Sequence, residues 1–184
     1  MSISSLAPSA TPIKGQRHRW SSLPGVSSSV ALYEKVIEQN SFALVITHNA
    51  AESQEWLEAL RFFSANEQQF CLFELPDREV LPYDYFSPHP DITSERLNTL
   101  YHLQSQSCGV CVVTLPTLMT RLCSKDYINR DSLILKVGQQ LETSTLKNQL
   151  DYAGYQHRDT VFEHGEYAVR GSLLDIYPMG SEQP

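Results

Sequence analysis

The sequence predicts two successive α/β units, the first built on a parallel sheet and the second a small α+β module. Three observations carry this expectation. Short continuous apolar runs (FALVIT at 42–47, FCLFEL at 70–75 and GVCVVTL at 109–115) alternate with amphipathic helical stretches, as a parallel sheet covered on both faces requires. After Cys123 the pattern changes to an alternating run, a helix and two strand-like runs. A His164-Gly165 pair between those last runs reads as a hairpin turn and so as antiparallel pairing.

The 184 residues are enough for one ordinary domain or two small ones, and 41% apolar with 19% charged residues is the balance of a globular chain rather than a disordered one. No apolar run reaches the roughly 20 residues that cross a bilayer, and the N-terminus lacks the apolar core of a signal peptide. A cytoplasmic location and no membrane partner are therefore expected. Fourteen Lys and Arg against 21 Asp and Glu give a net charge of -7. That balance argues against a dedicated nucleic-acid binder, which gains affinity by displacing counterions with cations, and is compatible with docking onto basic protein patches. Four cysteines, Cys71, Cys108, Cys111 and Cys123, are too few for a disulfide framework, and the three in or beside apolar runs, Cys71, Cys108 and Cys111, are expected to be reduced and buried.

Residues 1–22 mix Ser, Pro, Lys, Arg and Gln without periodicity and read as a flexible leader. The first unit is expected over 23–126. Val30, Tyr33, Val36 and Ile37 recur at helical spacing ahead of the first strand, and Asn49 caps a second helix, with Glu52 completing a capping box and Trp56, Leu57, Leu60 and Phe63 on the buried face. A Pro- and aromatic-rich connection follows the second strand. Asp91 or Thr93 then caps a helix carrying Leu97, Leu100, Tyr101 and Leu103, ahead of the third strand.

The second unit is expected over 127–184. It opens on the alternating run 132–137 and continues with a helix from Thr143 to Ala153, stopped by Gly154 in a left-handed cap. Strand-like runs follow at 157–163 and 167–177. The chain stops directly after the second of these, which reads as a cut through a module.

Several residue groups invite a chemical reading. A phosphate-binding loop would be built from Gly25 and Ser27 to Ser29, but the second Gly and the Lys of a P-loop are missing, and plain helix capping by the serines is the alternative. Cys108-Gly-Val-Cys111 is half of a zinc or redox motif without a second half, so burial at a strand start is expected. Glu163, His164 and Glu166 suggest acid/base work, yet a polar turn would splay them into solvent. The connection Glu79–Asp91 is either an aromatic platform or a stiff surface link with its aromatics tucked against the domain. Arg170, followed by Gly171 in an apolar strand, is either a solvated strand residue or a guanidinium set to clasp a carboxylate, with the Gly admitting a partner backbone.

Two long motifs, LPYDYFSPHPD at 81–91 followed by SERL at 94–97, and EHGEYAVRGSLLDIYPMG at 163–180, resemble the N-terminal region of the bacterial transcription-repair coupling factor family, Mfd. The resemblance runs from about Leu23 to the C-terminus. It implies the front of an ATP-driven DNA translocase that displaces stalled RNA polymerase and recruits excision repair. In that family the front end is similar to UvrB: a degenerate P-loop/RecA-like domain, then a small domain that binds UvrA. The family's UvrA-contacting Arg falls on Arg170, with Gly171 as the supporting strand position. A further Arg and a Phe of that interface lie in a following strand that this chain lacks, so weakened binding is expected.

The resemblance implies no catalytic residue, metal or cofactor in this stretch, with ATP and Mg confined to the parent's motor domains. RNA polymerase and DNA are partners only through that parent. A nucleotide-binding or hydrolysing domain with an unconventional phosphate loop is the competing expectation. Lesion-DNA binding ranks third, on charge.

Overall fold

The computed structural model describes residues 15–17, 19–21, 23–81, 83–130, 132, 135 and 137–181. Most of the expected leader, and residues 133, 134 and 136 of the expected strand at 132–137, lie outside the described residues. The chain divides into two compact units. One holds the residues up to Leu75 together with Ser105–Thr120, the other Pro76–Gln104 together with Arg121–Pro184.

The first unit contains α1 (Ser27–Gln39), β1 (Phe42–Thr47), α2 (Ala50–Ser64), β2 (Cys71–Leu75), β3 (Gly109–Thr114) and the short α4 (Leu115–Leu118). Its strands form one parallel sheet in the order β1-β3-β2. The central strand is the most apolar one, and Val110, Cys111, Val112 and Val113 are all buried. Val36, Leu57, Leu60 and Phe70 complete the core around Val45, Val110 and Val112, with Trp56 packed half-buried against it. The edge strand β1 corrects the expectation of a sheet covered on both faces. Its Val45 and Thr47 are buried, whereas Leu44 and Ile46 are about half exposed, because alternate residues of a strand point to opposite faces.

Helix α2 is capped as its sequence requires: the Asn49 side chain accepts from the Glu52 N–H at 2.9 Å. Glu52 reaches back to the N–H of His48 at 2.8 Å, one residue earlier than the capping-box pattern. No serine caps α1. Val26 occupies the N-cap without a side-chain bond, and Ser27 to Ser29 lie inside the first helical turn.

The second unit contains α3 (Pro90–Leu103), α5 (Lys125–Arg130), α6 (Thr143–Tyr152), β4 (Gln156–His157), β5 (Glu166–Arg170) and β6 (Leu173–Tyr177). Helix α3 starts earlier than expected. Pro90 occupies its first turn, where a missing N–H is harmless, so the cap moves to His89, whose Nδ1 accepts from the Asp91 N–H at 3.3 Å. Its buried residues are polar ones, Ser94, Arg96 and Thr99, and Tyr101 is exposed. The Arg96 guanidinium donates to the Pro76 carbonyl, and burial lowers its pKa from the usual value.

Helix α6 ends as Gly154 announces. Gly154 has φ +90°, its N–H donates to Asp151 O at 3.1 Å and the Tyr155 N–H to Leu150 O at 2.9 Å, which is a full Schellman motif. Leu146 and Leu150 pack with Tyr167, Val169, Leu174 and Ile176 of the sheet. That sheet has the order β4-β5-β6, with β4 parallel and β6 antiparallel to β5.

The expected hairpin turn at His164-Gly165 is therefore corrected, since the strand before it pairs parallel. The antiparallel turn is Gly171-Ser172, closing the Arg170↔Leu173 pair. Gly171, at φ +65°, stands at the first central position of a two-residue turn, the Gly-X pattern of a type II′ connection.

Tyr167 is the titratable centre of this small core. Its hydroxyl donates to Asp151 Oδ1 at 2.7 Å, and burial first, then that carboxylate, push the phenol up to about 12. An unfolded tyrosine ionises near pH 10, so the unfolded chain loses this proton first and stability falls as pH rises from about 10 to about 12. Tyr167→Phe is expected to cost about 1 kcal/mol at neutral pH and to flatten that alkaline loss. Urea midpoints against pH check it, and parallel curves for parent and variant would contradict it.

Candidate partner-binding site

Arg170 is the last residue of β5 and Asp175 the middle residue of β6. Because Ala168 faces Asp175 and Arg170 faces Leu173 in the register, Arg170 and Asp175 are diagonal neighbours on one face of the hairpin. The Arg170 Nη2 donates to Asp175 Oδ2, and the Arg170 side chain remains 63% exposed. A guanidinium engaged by one carboxylate still has donors to offer. The opposite face of the hairpin carries Tyr167, Val169, Leu174 and Ile176 against α6, so packing fixes the hairpin while Arg170 stays open. Asp175, which nothing in the sequence singles out, becomes the partner of Arg170 only once the turn is known to be Gly171-Ser172. A Cβ on Gly171 would meet nothing within 4 Å in this chain, and its φ of +65° serves the left-handed turn.

The base of the hairpin is tied to α3, and the two resembling motifs meet there. The Gly180 N–H donates to Ser94 Oγ at 2.7 Å. His164 Nδ1 lies 3.3 Å from Ser94 Oγ and 3.2 Å from Pro178 O, and its Nε2 is 3.7 Å from Asp91 Oδ1. The His164 ring lies on Tyr177, with centroids 4.1 Å apart. This Ser-His-Asp grouping has the membership of a hydrolytic triad but not its access, because Ser94 is buried and its oxygen already accepts from the backbone.

The expectation that Glu163, His164 and Glu166 splay into solvent holds for Glu163, which is exposed, and is corrected for His164 and Glu166. His164 is 11% exposed, and Glu166 Oε2 accepts from the N–H groups of Phe162 and Glu163 at 2.9 and 3.1 Å. Arg158 Nε donates to Glu166 Oε1 at 3.0 Å. These bonds, the Phe162 N–H foremost, hold the Glu166 carboxyl below the usual carboxylate range.

The remaining candidates separate in the same way. Cys108 and Cys111 are buried free thiols, and burial pushes Cys111 up to about 11. Cys108, in the bend before β3, packs in the core with Val110 and Val112, whereas Cys111 alternates with those two along the strand and so lies on its other face. Cys71, also expected to be buried, is half-buried, and Cys123 is exposed. No group of three or more His, Cys, Asp or Glu able to hold a metal occurs among the described residues. The connection 79–91 does not tuck its aromatics in: Leu81, Tyr83, Tyr85 and Phe86 are all exposed. No helix of the described residues is long and apolar enough to cross a membrane.

The second of the two α/β units presents a hairpin that ends in Arg170, and residues 133–184, which contain that hairpin, match the family described as UvrB interaction domain. The chain is 42% identical over 174 residues to the transcription-repair-coupling factor of Escherichia coli (strain K12), covering 94% of this chain and 15% of that protein. It is 41% identical over 162 residues to that of Haemophilus influenzae, covering 88% and 14%, and 28% identical over 150 residues to that of Staphylococcus aureus (strain bovine RF122 / ET3-1), covering 81% and 12%. The resemblance to transcription-repair coupling factor carried by the two motifs is thus shown. The chain spans about one-seventh of the length of these relatives.

Proposed function

We propose that this chain is a non-catalytic recruitment module of a transcription-repair coupling factor, which docks UvrA through the hairpin bearing Arg170, with Gly171 shaping its turn. The observation that carries the reading is the exposed Arg170 guanidinium on a hairpin locked by α6, inside the stretch matched by the UvrB interaction domain. The UvrA-binding part, expected over 127–184, takes in the matched stretch 133–184. Within the whole protein the module serves an ATP-dependent DNA translocase that displaces stalled RNA polymerase, with ATP and Mg held elsewhere in the polypeptide. Titrating purified UvrA over the immobilised chain tests this reading, which expects saturable binding.

The first unit we read as a degenerate relative of P-loop/RecA-like domains. Supporting this are its parallel order β1-β3-β2 and the loop before α1, which offers Gly25 but no second Gly or Lys. Ser29 is buried, so its hydroxyl is withdrawn from any phosphate, and among the described residues no strand precedes α1 to form a strand–loop–helix cradle. A fluorescent Mg-ATP analogue is expected to show no saturable binding in the micromolar range. Micromolar binding lost on Gly25→Val would favour the nucleotide-binding reading instead.

A further inference from the structure

The loop that leads into α3 exposes four large side chains within six residues. Tyr83 and Tyr85 are as exposed as in an extended peptide, at 102% and 101%, and Leu81 and Phe86 stand at 76% and 77%. An apolar surface of this size on a folded chain marks a contact rather than an accident. The loop is also held in shape. The Asp84 N–H donates to Leu81 O at 3.1 Å, the Tyr85 N–H to Asp84 Oδ1 at 2.7 Å and the Glu79 N–H to Asp77 Oδ1 at 2.9 Å. Glu79 and Tyr83 have φ of +57° and +70°, a left-handed backbone uncommon for residues of their bulk. The aromatics are therefore held outward and not merely loose.

Charge selects the kind of partner. Asp77, Glu79, Asp84 and Asp91 flank and punctuate the aromatics along the chain. The one Arg in the segment, Arg78, donates through Nη2 to the carbonyl of Arg121 at 3.2 Å. A single-stranded nucleic acid stacks on aromatics inside a cationic groove, and this segment is acidic. A protein cleft with apolar walls and a basic rim complements both features, and exposed tyrosines are the residues that anchor such contacts.

Helix α3 places the loop in the same compact unit as the Arg170 hairpin, through Ser94 and the Gly180 N–H and through His164. A partner that meets both elements incurs the orientational cost of docking once.

We propose that Leu81, Tyr83, Tyr85 and Phe86 form a second docking contact, seated in an apolar cleft rimmed by Lys and Arg on the partner that Arg170 engages. This rests on the reading of the chain as a UvrA-recruitment module.

The test compares the parent chain, the triple variant Tyr83→Ala/Tyr85→Ala/Phe86→Ala and Arg170→Glu for binding to purified UvrA, with far-UV circular dichroism on each. The triple variant is expected to keep its spectrum and lose about tenfold or more in affinity. Affinity within twofold of the parent, while Arg170→Glu loses binding, overturns the second contact and leaves the recruitment reading standing. Absence of UvrA binding by the parent overturns both. Micromolar binding of a single-stranded oligonucleotide by the parent, lost in the triple variant, overturns the protein cleft in favour of nucleic acid. Should the triple variant lose helical signal, Tyr85→Ser alone, at a fully exposed position, decides the same question.

Discussion

Replacing Gly109 by Ala is expected to destabilise the first unit by about 3 kcal/mol or more, combining overpacking with backbone strain. Gly109 opens the central strand at φ +148°, where residues with a side chain rarely go. A Cβ built there lies 2.1 Å from the Cys71 carbonyl oxygen and 2.9 Å from its carbon. Both are backbone atoms, so no rotamer change relieves the clash. The position cannot drift either, because the Gly109 N–H donates to Ser41 O at 3.2 Å and the Cys71 N–H to Cys108 O at 3.3 Å. Gly109 pairs with Phe42 on one side and Cys71 on the other, so relief on one side breaks the register of the sheet. Urea denaturation of parent and variant measures the effect, and coincident midpoints would contradict the register of β3 between its neighbours.

Arg170→Glu is expected to do the reverse: about a hundredfold or greater loss of UvrA affinity with little loss of stability. An exposed ion pair such as Arg170 with Asp175 contributes between zero and about 1 kcal/mol to folding. At an interface the same guanidinium becomes desolvated. Reversing its charge both removes a charge-assisted bond and faces the partner with a repelled carboxylate, at a cost of several kcal/mol. Asp175 sharpens the expectation, because the introduced carboxylate would stand beside one already present and would turn outward toward the partner. A thermal midpoint that moves by more than a few degrees would show that Arg170 serves the fold instead.

Much of the architecture could be read from sequence, because local signals agreed with their tertiary setting. The continuous apolar runs gave β1 and most of β3 to within a residue, Asn49 with Glu52 marked the start of α2, and Gly154 marked the end of α6. What escaped depends on contacts distant in the chain. His164-Gly165 and Gly171-Ser172 are both plausible turns, and both glycines have positive φ. The choice is made by the Glu166 carboxylate binding the N–H groups of Phe162 and Glu163 and by the Arg170↔Leu173 pairing. Helix α3 misled because its buried residues are the polar Ser94, Arg96 and Thr99, and the partners of the first two stand at 180 and 76. The ion pair of Arg170 with Asp175 could not be read at all, because it depends on the register.

The proposed docking of UvrA through Arg170 is tested by interferometry of the immobilised 184-residue chain against purified UvrA, parent and Arg170→Glu side by side. The account predicts saturable binding by the parent that the substitution removes. Equal binding by both, or binding by neither, would contradict it.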